Sequence, residues 1–287
     1  MIYCGREFSE EEIQWIRKQI AERPGINRRA ISKEFCERVG WHKPDGGVKE
    51  MSCRVVLLKM HREGLIRLPP TQRPHNKASK HNQRSLFTAP KPPIQRKAGD
   101  FDLSLELAAG GEVKLWNEFI DRYHYLGYSP LPGAQIRYFV KDKEEILALL
   151  GFSAAAWKTA ARDGFIGWDA RRRKEALPLI VNNSRFLVLP WVQSKNLASR
   201  ILSLAGKRLP SDWQGRYCYR PVLLETFVEK ARFEGTCYKA ANWIYVGDTQ
   251  GRGKLDVKNE YKLPVKAVWL YPLTRHFRHH LCGGYIP

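Results

Sequence analysis

Residues 180–205 constrain this chain more than any other stretch. They read as a buried strand that is stopped by a proline and followed at once by a helix. Leu179, Ile180 and Val181, then Phe186, Leu187, Val188 and Leu189, form a short apolar, β-branched run of the kind a sheet interior takes. Pro190 has no N–H for a ladder and ends the strand. Ser194 is the expected N-cap of the next helix, whose Leu197, Ile201 and Leu204 recur at i, i+4 and i+7. A strand feeding a helix N-terminus presents backbone N–H groups to an anion, so chemistry is expected at this junction.

A chain of 287 residues with 43% hydrophobic content can fill two cores, and two domains are expected. No apolar run approaches the roughly 20 residues of a membrane helix, and residues 1–10 carry no signal-peptide pattern, so a cytoplasmic protein with no membrane partner is expected. Six scattered cysteines without a C-x-x-C pair read as free thiols. The net charge of +20 is spread along the chain, with 21 Lys/Arg against 10 Asp/Glu in residues 1–99. That balance favours a polyanionic partner, nucleic acid, with DNA foremost.

Residues 1–68 read as a winged helix. Ser9 and Glu12 form a capping box before a helix carrying Ile13, Ile16 and Ile20, and Asn27 caps a second helix. A third helix over about 49–63 is expected to bury Met51, Val55 and Leu58 and to show Lys49, Arg54, Lys59 and Arg62 as phosphate or base contacts. Residues 65–68 read as a short wing strand. Residues 69–99, rich in proline and basic without an acid, read as a linker; Arg73, Lys77, Lys80 and Arg84 are its candidate phosphate contacts.

Residues 100–287 alternate helix and strand with strands in excess, a mixed α/β layer. A helix over 112–125 leads to the aromatic run 123–128, a hairpin pairs 136–140 with 146–152, and 162–173 is expected to be a loop. After the organising strand and helix come a strand at 221–227, a short helix at 235–243, a strand at 244–247, a basic turn holding Arg252, and a strand at 265–271.

This order is similar to the GNAT acyltransferase fold, in which a loop of the form Gln/Arg-x-x-Gly-x-Gly/Ala before a helix holds the coenzyme A pyrophosphate. Gln193, Ser194, Lys195, Asn196 and Ala198 stand where that loop would lie, with asparagine in place of the central glycine. The motifs Arg122–Tyr128, Asn182–Leu187, Glu225-Thr226-Phe227 and Tyr238–Trp243, with Gly251-Arg252-Gly253, resemble those of the Druantia anti-phage DruA family. The resemblance implies bacterial DNA-directed defence or a role in mobile elements, with helicase-like defence proteins as possible partners.

Read for acyl transfer from acyl-CoA, Glu225 is the candidate base, Tyr238 the candidate acid, and His124 a proton relay among tyrosines able to stack on an exposed base. Asn183, Ser184 and Arg185 lie on the central strand, Arg185 as a candidate DNA contact. Two enzymatic alternatives stand beside simple DNA binding. One is an acyl-CoA-dependent nucleobase-modifying transferase. The other is a DNA-nicking or transposition-related enzyme with a tyrosine nucleophile and acids such as Asp163, Glu225 and Asp248. His276, His279, His280 and Cys282 lack a second ligand pair, and no metal site is expected.

Overall fold

The computed structural model describes residues 1–4, 6–70, 84–131, 133–251 and 263–283. The chain divides into two compact units, Met1–His81 and Asn82–Pro287.

In the first unit a two-stranded hairpin, β1 (Ile2–Tyr3) and β2 (Arg6–Glu7), precedes three helices: α1 (Glu10–Glu22), α2 (Arg28–Arg38) and α3 (Glu50–Arg62). Both expected caps form. The Ser9 hydroxyl accepts from the Glu12 N–H, and the Glu12 carboxylate accepts in return from the Ser9 N–H. Asn27 Oδ1 accepts from the Ala30 N–H at 2.8 Å. Phe8, Ile13, Ile16, Ile31 and Phe35 build the core.

Two expectations fail here. Helix α3 buries Cys53, Val56, Leu57 and Met60 instead of Met51 and Val55, which stay 64% and 57% exposed. Both sets have helical spacing, and the set that packs is the one facing Phe35 and Ile31 across the core. Nor do residues 65–68 form a wing strand. Their backbone groups are taken by side chains: Arg17 donates to the Leu65 carbonyl at 2.8 Å, while His61 Nδ1 lies 3.2 Å from the Ile66 carbonyl and 3.4 Å from the Leu68 nitrogen.

The second unit is built on a seven-stranded mixed sheet. Its strands are β4 (Leu103–Leu107), β5 (Gln135–Asp142), β6 (Glu145–Ala154), β7 (Ile180–Val188), β9 (Leu223–Glu229), β10 (Ile244–Asp248) and β11 (Lys266–Pro272), in the order β10-β11-β9-β7-β6-β5-β4. Every neighbouring pair is antiparallel except β7 and β9 at the centre. Leu147, Ala148, Leu149 and Leu150 of β6 are all buried, so both faces of the sheet are covered, since successive strand residues point to opposite sides. Helices α4 (Glu112–Tyr123) and α7 (Leu197–Tyr217) contribute Trp116, Phe119, Ile120, Ile201, Leu209 and Trp213 to the main core. Helices α5 (Ala160–Ile166), α6 (Ala170–Ala176) and α9 (Phe277–Cys282) enclose a separate cluster with Ile180, Leu223, Val268 and Leu270. A short helix, α8 (Thr236–Ala240), joins β9 to β10.

The expected loop at 162–173 is therefore mostly helical. Gly167, in the left-handed region at φ 83°, ends α5, and Asp169 caps α6 by accepting from the Arg172 N–H at 2.7 Å. The later part of the expected linker is also structured. Strand β3 (Ile94–Gln95) pairs in parallel with β8 (Val192–Gln193). Thr88 is buried, with its hydroxyl donating to Glu118 at 2.6 Å and its carbonyl accepting from Tyr123 Oη at 2.6 Å. Arg96 is held by Asp142 and Lys91 by Glu145, so the acids missing from this stretch are supplied by the strands it lies on. No helix among the described residues is long and apolar enough to cross a membrane.

Candidate functional site

Strands β7 and β9 pair for only three residues, Ile180–Asn182 against Leu223–Glu225, and then part. The parting opens a cleft of ≈ 940 Å³. One wall is Asn183, Ser184 and Phe186–Val188 of β7; the other is Thr226–Val228 of β9 with α8. The start of α7 closes one end, and His124–Leu126 with Arg232–Gly235 stand at the rim.

A bulge in β7 shapes the first wall. Asn183 faces Phe152 and Arg185 faces Gly151, which leaves Ser184 as the extra residue. The Gly151 carbonyl accepts from Asn183 Nδ2 at 3.3 Å and from the Ser184 hydroxyl at 3.2 Å. The packing at Gly151 is tight: a Cβ would lie 3.0 Å from the Trp116 ring and 3.1 Å from Arg185 Cβ, so a larger residue would have to displace them by a few tenths of an ångström. Across the cleft, the Thr226 hydroxyl donates to the Asn183 carbonyl at 3.0 Å, and Tyr238 Oη donates to Asn183 Oδ1 at 2.9 Å. The parted strands are thus tied by side chains where the ladder ends. Burial, with a smaller contribution from Cys237, raises the Tyr238 phenol well above its ordinary value and keeps it protonated.

His124 follows the last turn of α4. Its Nδ1 accepts from the Leu126 N–H at 3.2 Å, which leaves the proton of the neutral ring on Nε2. Burial first, and the charge of Arg185 second, lower its pKa from 6.5 to about 4. His124 is therefore neutral at pH 7.

The cleft gathers His124, Tyr238, Ser194, Asn196 and Ala198 of the expected site residues. Helix α7 starts at Leu197, so Ser194 is not its N-cap. Asn196 holds that position, in the left-handed conformation at φ 67°, with no side-chain cap bond. The Ser194 hydroxyl is buried and has no partner. Gln193 and Lys195 do not line the cleft; the Gln193 side chain accepts from Gln95 at 3.0 Å and Lys195 is exposed.

Glu225 is the main correction. It is fully buried and lies on the other face of β9, with Leu223 and Phe227, whereas Leu224 and Val228 face the main core. Its carboxylate accepts from Arg162 Nη1 at 2.8 Å and from the Ala156 N–H at 2.7 Å. Burial pushes the carboxyl up, and the guanidinium of Arg162 pulls against it. With no path to the cleft, Glu225 cannot act there as a base. Arg162 also holds Asp163, while Asp248 accepts from Lys230 and Tyr245. Of the three acids considered for nicking chemistry, Glu225 and Asp163 share the Arg162 guanidinium and Asp248 is held elsewhere, and no metal-holding group of three His, Cys, Asp or Glu forms among the described residues.

The DNA-contact candidates are dispersed. Arg54 and Lys59 are exposed on α3, near Glu50 and Glu63 at 3.5 and 3.7 Å, and Arg62 is exposed beside them. Lys49 is half-buried and Arg84 exposed. Arg185 does not line the cleft, although its charge reaches His124; it donates to the Ser184 carbonyl at 2.7 Å and lines a small cavity with Trp116, Tyr128 and Arg137. Arg73, Lys77, Lys80 and Arg252 lie outside the described residues. Sequence reasoning missed Thr226, Arg232 and Phe233. The signal available was a phenylalanine flanked by Arg232 and Glu234, two residues before a glycine that opens a helix.

A mixed sheet whose central parallel pair parts over a helix N-terminus defines an α/β protein with a ligand-sized cleft. Residues 59–261 match the family described as Druantia protein DruA, and the chain belongs to that family. No curated protein matches the chain. Solved structures similar to it include the aminoglycoside acetyltransferase AAC(6')-Ib in complex with coenzyme A, at 13% identity over 60% of this chain and 95% of that one, with a TM-score of 0.41. Another is the Drosophila melanogaster polyamine N-acetyltransferase, at 10% identity over 60% of this chain and 100% of that one, with a TM-score of 0.38. A third is a GNAT-family acetyltransferase of Bacillus cereus, at 13% identity over 48% and 71%, with a TM-score of 0.30.

Two outcomes test this geometry. Arg162→Met leaves the Glu225 carboxylate buried without its ion partner and is expected to cost about 3–5 kcal/mol in denaturant unfolding, while Arg162→Met with Glu225→Leu costs less than the single change. For His124, the folded value lies below the unfolded one. Between pH 6.5 and about 4 the unfolded chain takes a proton that the folded site refuses, so stability falls as pH drops through that window. His124→Gln is expected to flatten that part of the stability profile, measured by urea unfolding from pH 7 to 4.

Proposed function

We propose that this protein is a DNA-binding component of bacterial anti-phage defence, or of related mobile elements, whose second unit grips or acts on DNA through the cleft. The observation that carries the reading is the exposed face of α3, where Arg54, Lys59 and Arg62 stand with the uncovered side chains of Met51 and Val55 in a chain of net charge +20. Cations supply the sequence-independent attraction to phosphates, and apolar side chains on the same helical face suit thymine methyl groups. Three helices with one such face support the helix-turn-helix reading of the first unit, although the winged form is not needed for it. Membership in the DruA family supports the defence context, and helicase-like defence proteins are part of this proposal as partners.

A second reading is favoured by a separate observation, the floor of the cleft. The N–H groups at the start of α7, the partnerless Ser194 hydroxyl and the left-handed Asn196 together form an anion-binding end. Asn196 takes the backbone conformation a glycine would favour at that point of a pyrophosphate loop, which supports a site for the pyrophosphate of coenzyme A. An acyl-coenzyme A bound there would supply an activated acyl group. Tyr238, kept protonated by burial, would hold a proton at Oη, and the neutral His124 would offer its Nε2–H at the rim. In this reading the protein is a nucleobase-modifying transferase.

Fluorescence anisotropy with duplex DNA across a salt series tests the first reading. Affinity is expected to fall steeply with salt, and Arg54→Ala with Arg62→Ala to lower the slope of log K against log salt by about 0.9 for each phosphate that is no longer neutralised. Absence of binding at low salt removes the reading. Acetyl-coenzyme A is expected to raise the melting temperature at concentrations well above its Kd, as a ligand of the native state must. An unchanged melting temperature removes the transferase reading and leaves DNA binding standing.

A further inference from the structure

The rim of the cleft differs in chemistry from its floor. His124 and Tyr125 stack with ring centroids 4.9 Å apart at 29°. Tyr125 meets Phe233 edge-on at 5.2 Å and 61°, and the Arg232 guanidinium lies 4.8 Å from the Tyr125 ring centroid. These groups come from two segments far apart in sequence, the turn after α4 and the loop between β9 and α8, and all four line the same opening. Phe233 remains 49% exposed. It belongs to no core cluster, and Arg232 and Glu234 on either side of it are exposed as well. The ring therefore rests on Tyr125 with half its surface open, and a planar ligand entering the opening would cover it.

The ligand class follows from the surroundings. Aromatic faces with an adjacent guanidinium suit a flat heterocycle, which stacks on the rings and meets the cation from its π face or an exocyclic carbonyl oxygen. A neutral His124 adds a ring and an Nε2–H donor without a second charge. The partnerless Ser194 hydroxyl and the acceptor capacity left on Tyr238 Oη line the same cleft and offer polar partners to a heterocycle. A volume of ≈ 940 Å³ holds one nucleotide with room to spare. Resting on the DNA-binding reading above, we infer that the cleft takes one unpaired nucleobase of a DNA strand, stacked at the rim on Tyr125 and Phe233.

Base-on-aromatic stacking is independent of the phosphate contacts, and this independence makes the inference testable. The probes are a fluorescein-labelled single-stranded 12-mer and a strand of the same length made of abasic sugar-phosphate, titrated by anisotropy against the full chain. The wild type is expected to prefer the base-containing strand by about 10-fold, within the range that stacking supplies. Phe233→Ala and Tyr125→Ala are expected to bring that ratio near one, Tyr125→Phe to preserve it, and all three to leave the salt slope unchanged. Phe233 is half in solvent, so its alanine variant keeps the fold, as a melting curve checks. Equal affinity of the wild type for the two strands overturns the inference, as does a ratio that survives both alanine variants. Competition by free adenosine monophosphate without preference for the base-containing strand also overturns it, because the rim then serves a free nucleotide. Failure to bind either strand at low salt is a different result, removing the DNA-binding reading itself and the inference with it.

Discussion

The second unit depends on a parallel pairing that stops early. Strands β7 and β9 share three residue pairs and then diverge. Divergence inside a sheet exposes backbone groups that would otherwise pair, at a cost unless other partners are found. Here the partners are side chains: Thr226 bonds the Asn183 carbonyl, Tyr238 bonds the Asn183 side chain, and Asn183 with Ser184 bond Gly151 at the bulge. Polar residues on the inner strands therefore stabilise an opening that apolar ones would close. The same network removes Asn183 from direct chemistry, since its amide is already engaged on both sides.

On the reverse face, Arg162 performs the complementary task. A fully buried guanidinium joins Glu225 of β9 to Asp163 and to the Ala156 carbonyl of the segment before α5. Each charge is costly to bury and is retained because the other meets it. This network anchors β9 immediately before the point where it leaves β7, so the cleft is braced from behind. An acid in the motif Glu225-Thr226-Phe227 thus serves architecture, and the hydroxyl next to it serves the cleft. The alternation of a strand separates those roles by one residue.

The elements that sequence reasoning placed well are those whose signals are local. Ser9 with Glu12, Asn27, and the strand-proline-helix run at 180–205 each declare themselves within a few residues. The misplaced ones turn on distant contacts. Met51 and Val55 have the same helical spacing as Val56 and Met60, and only the position of α2 decides between them. Residues 84–99 have the composition of a spacer, yet Glu118, Asp142 and Val192 hold them in place. Helices α5 and α6 span seven residues each, too short for periodicity to show against their glycine and arginine content.

The sequence by itself determined the helix caps at Ser9 and Asn27, the strand, proline and helix of 180–205, the basic balance, and the motifs that place the chain in the DruA family. These follow from nearest-neighbour chemistry, which a linear reading contains. Tertiary structure decided that Glu225 faces Arg162 rather than the cleft, that Tyr238 and Asn183 meet across it, and that Tyr125 and Phe233 share one rim. Each of these joins residues dozens to more than a hundred positions apart. The physical reason is the parting of β7 from β9: a cleft forms where two strands stay unpaired, and no local signal encodes where two distant strands cease to pair.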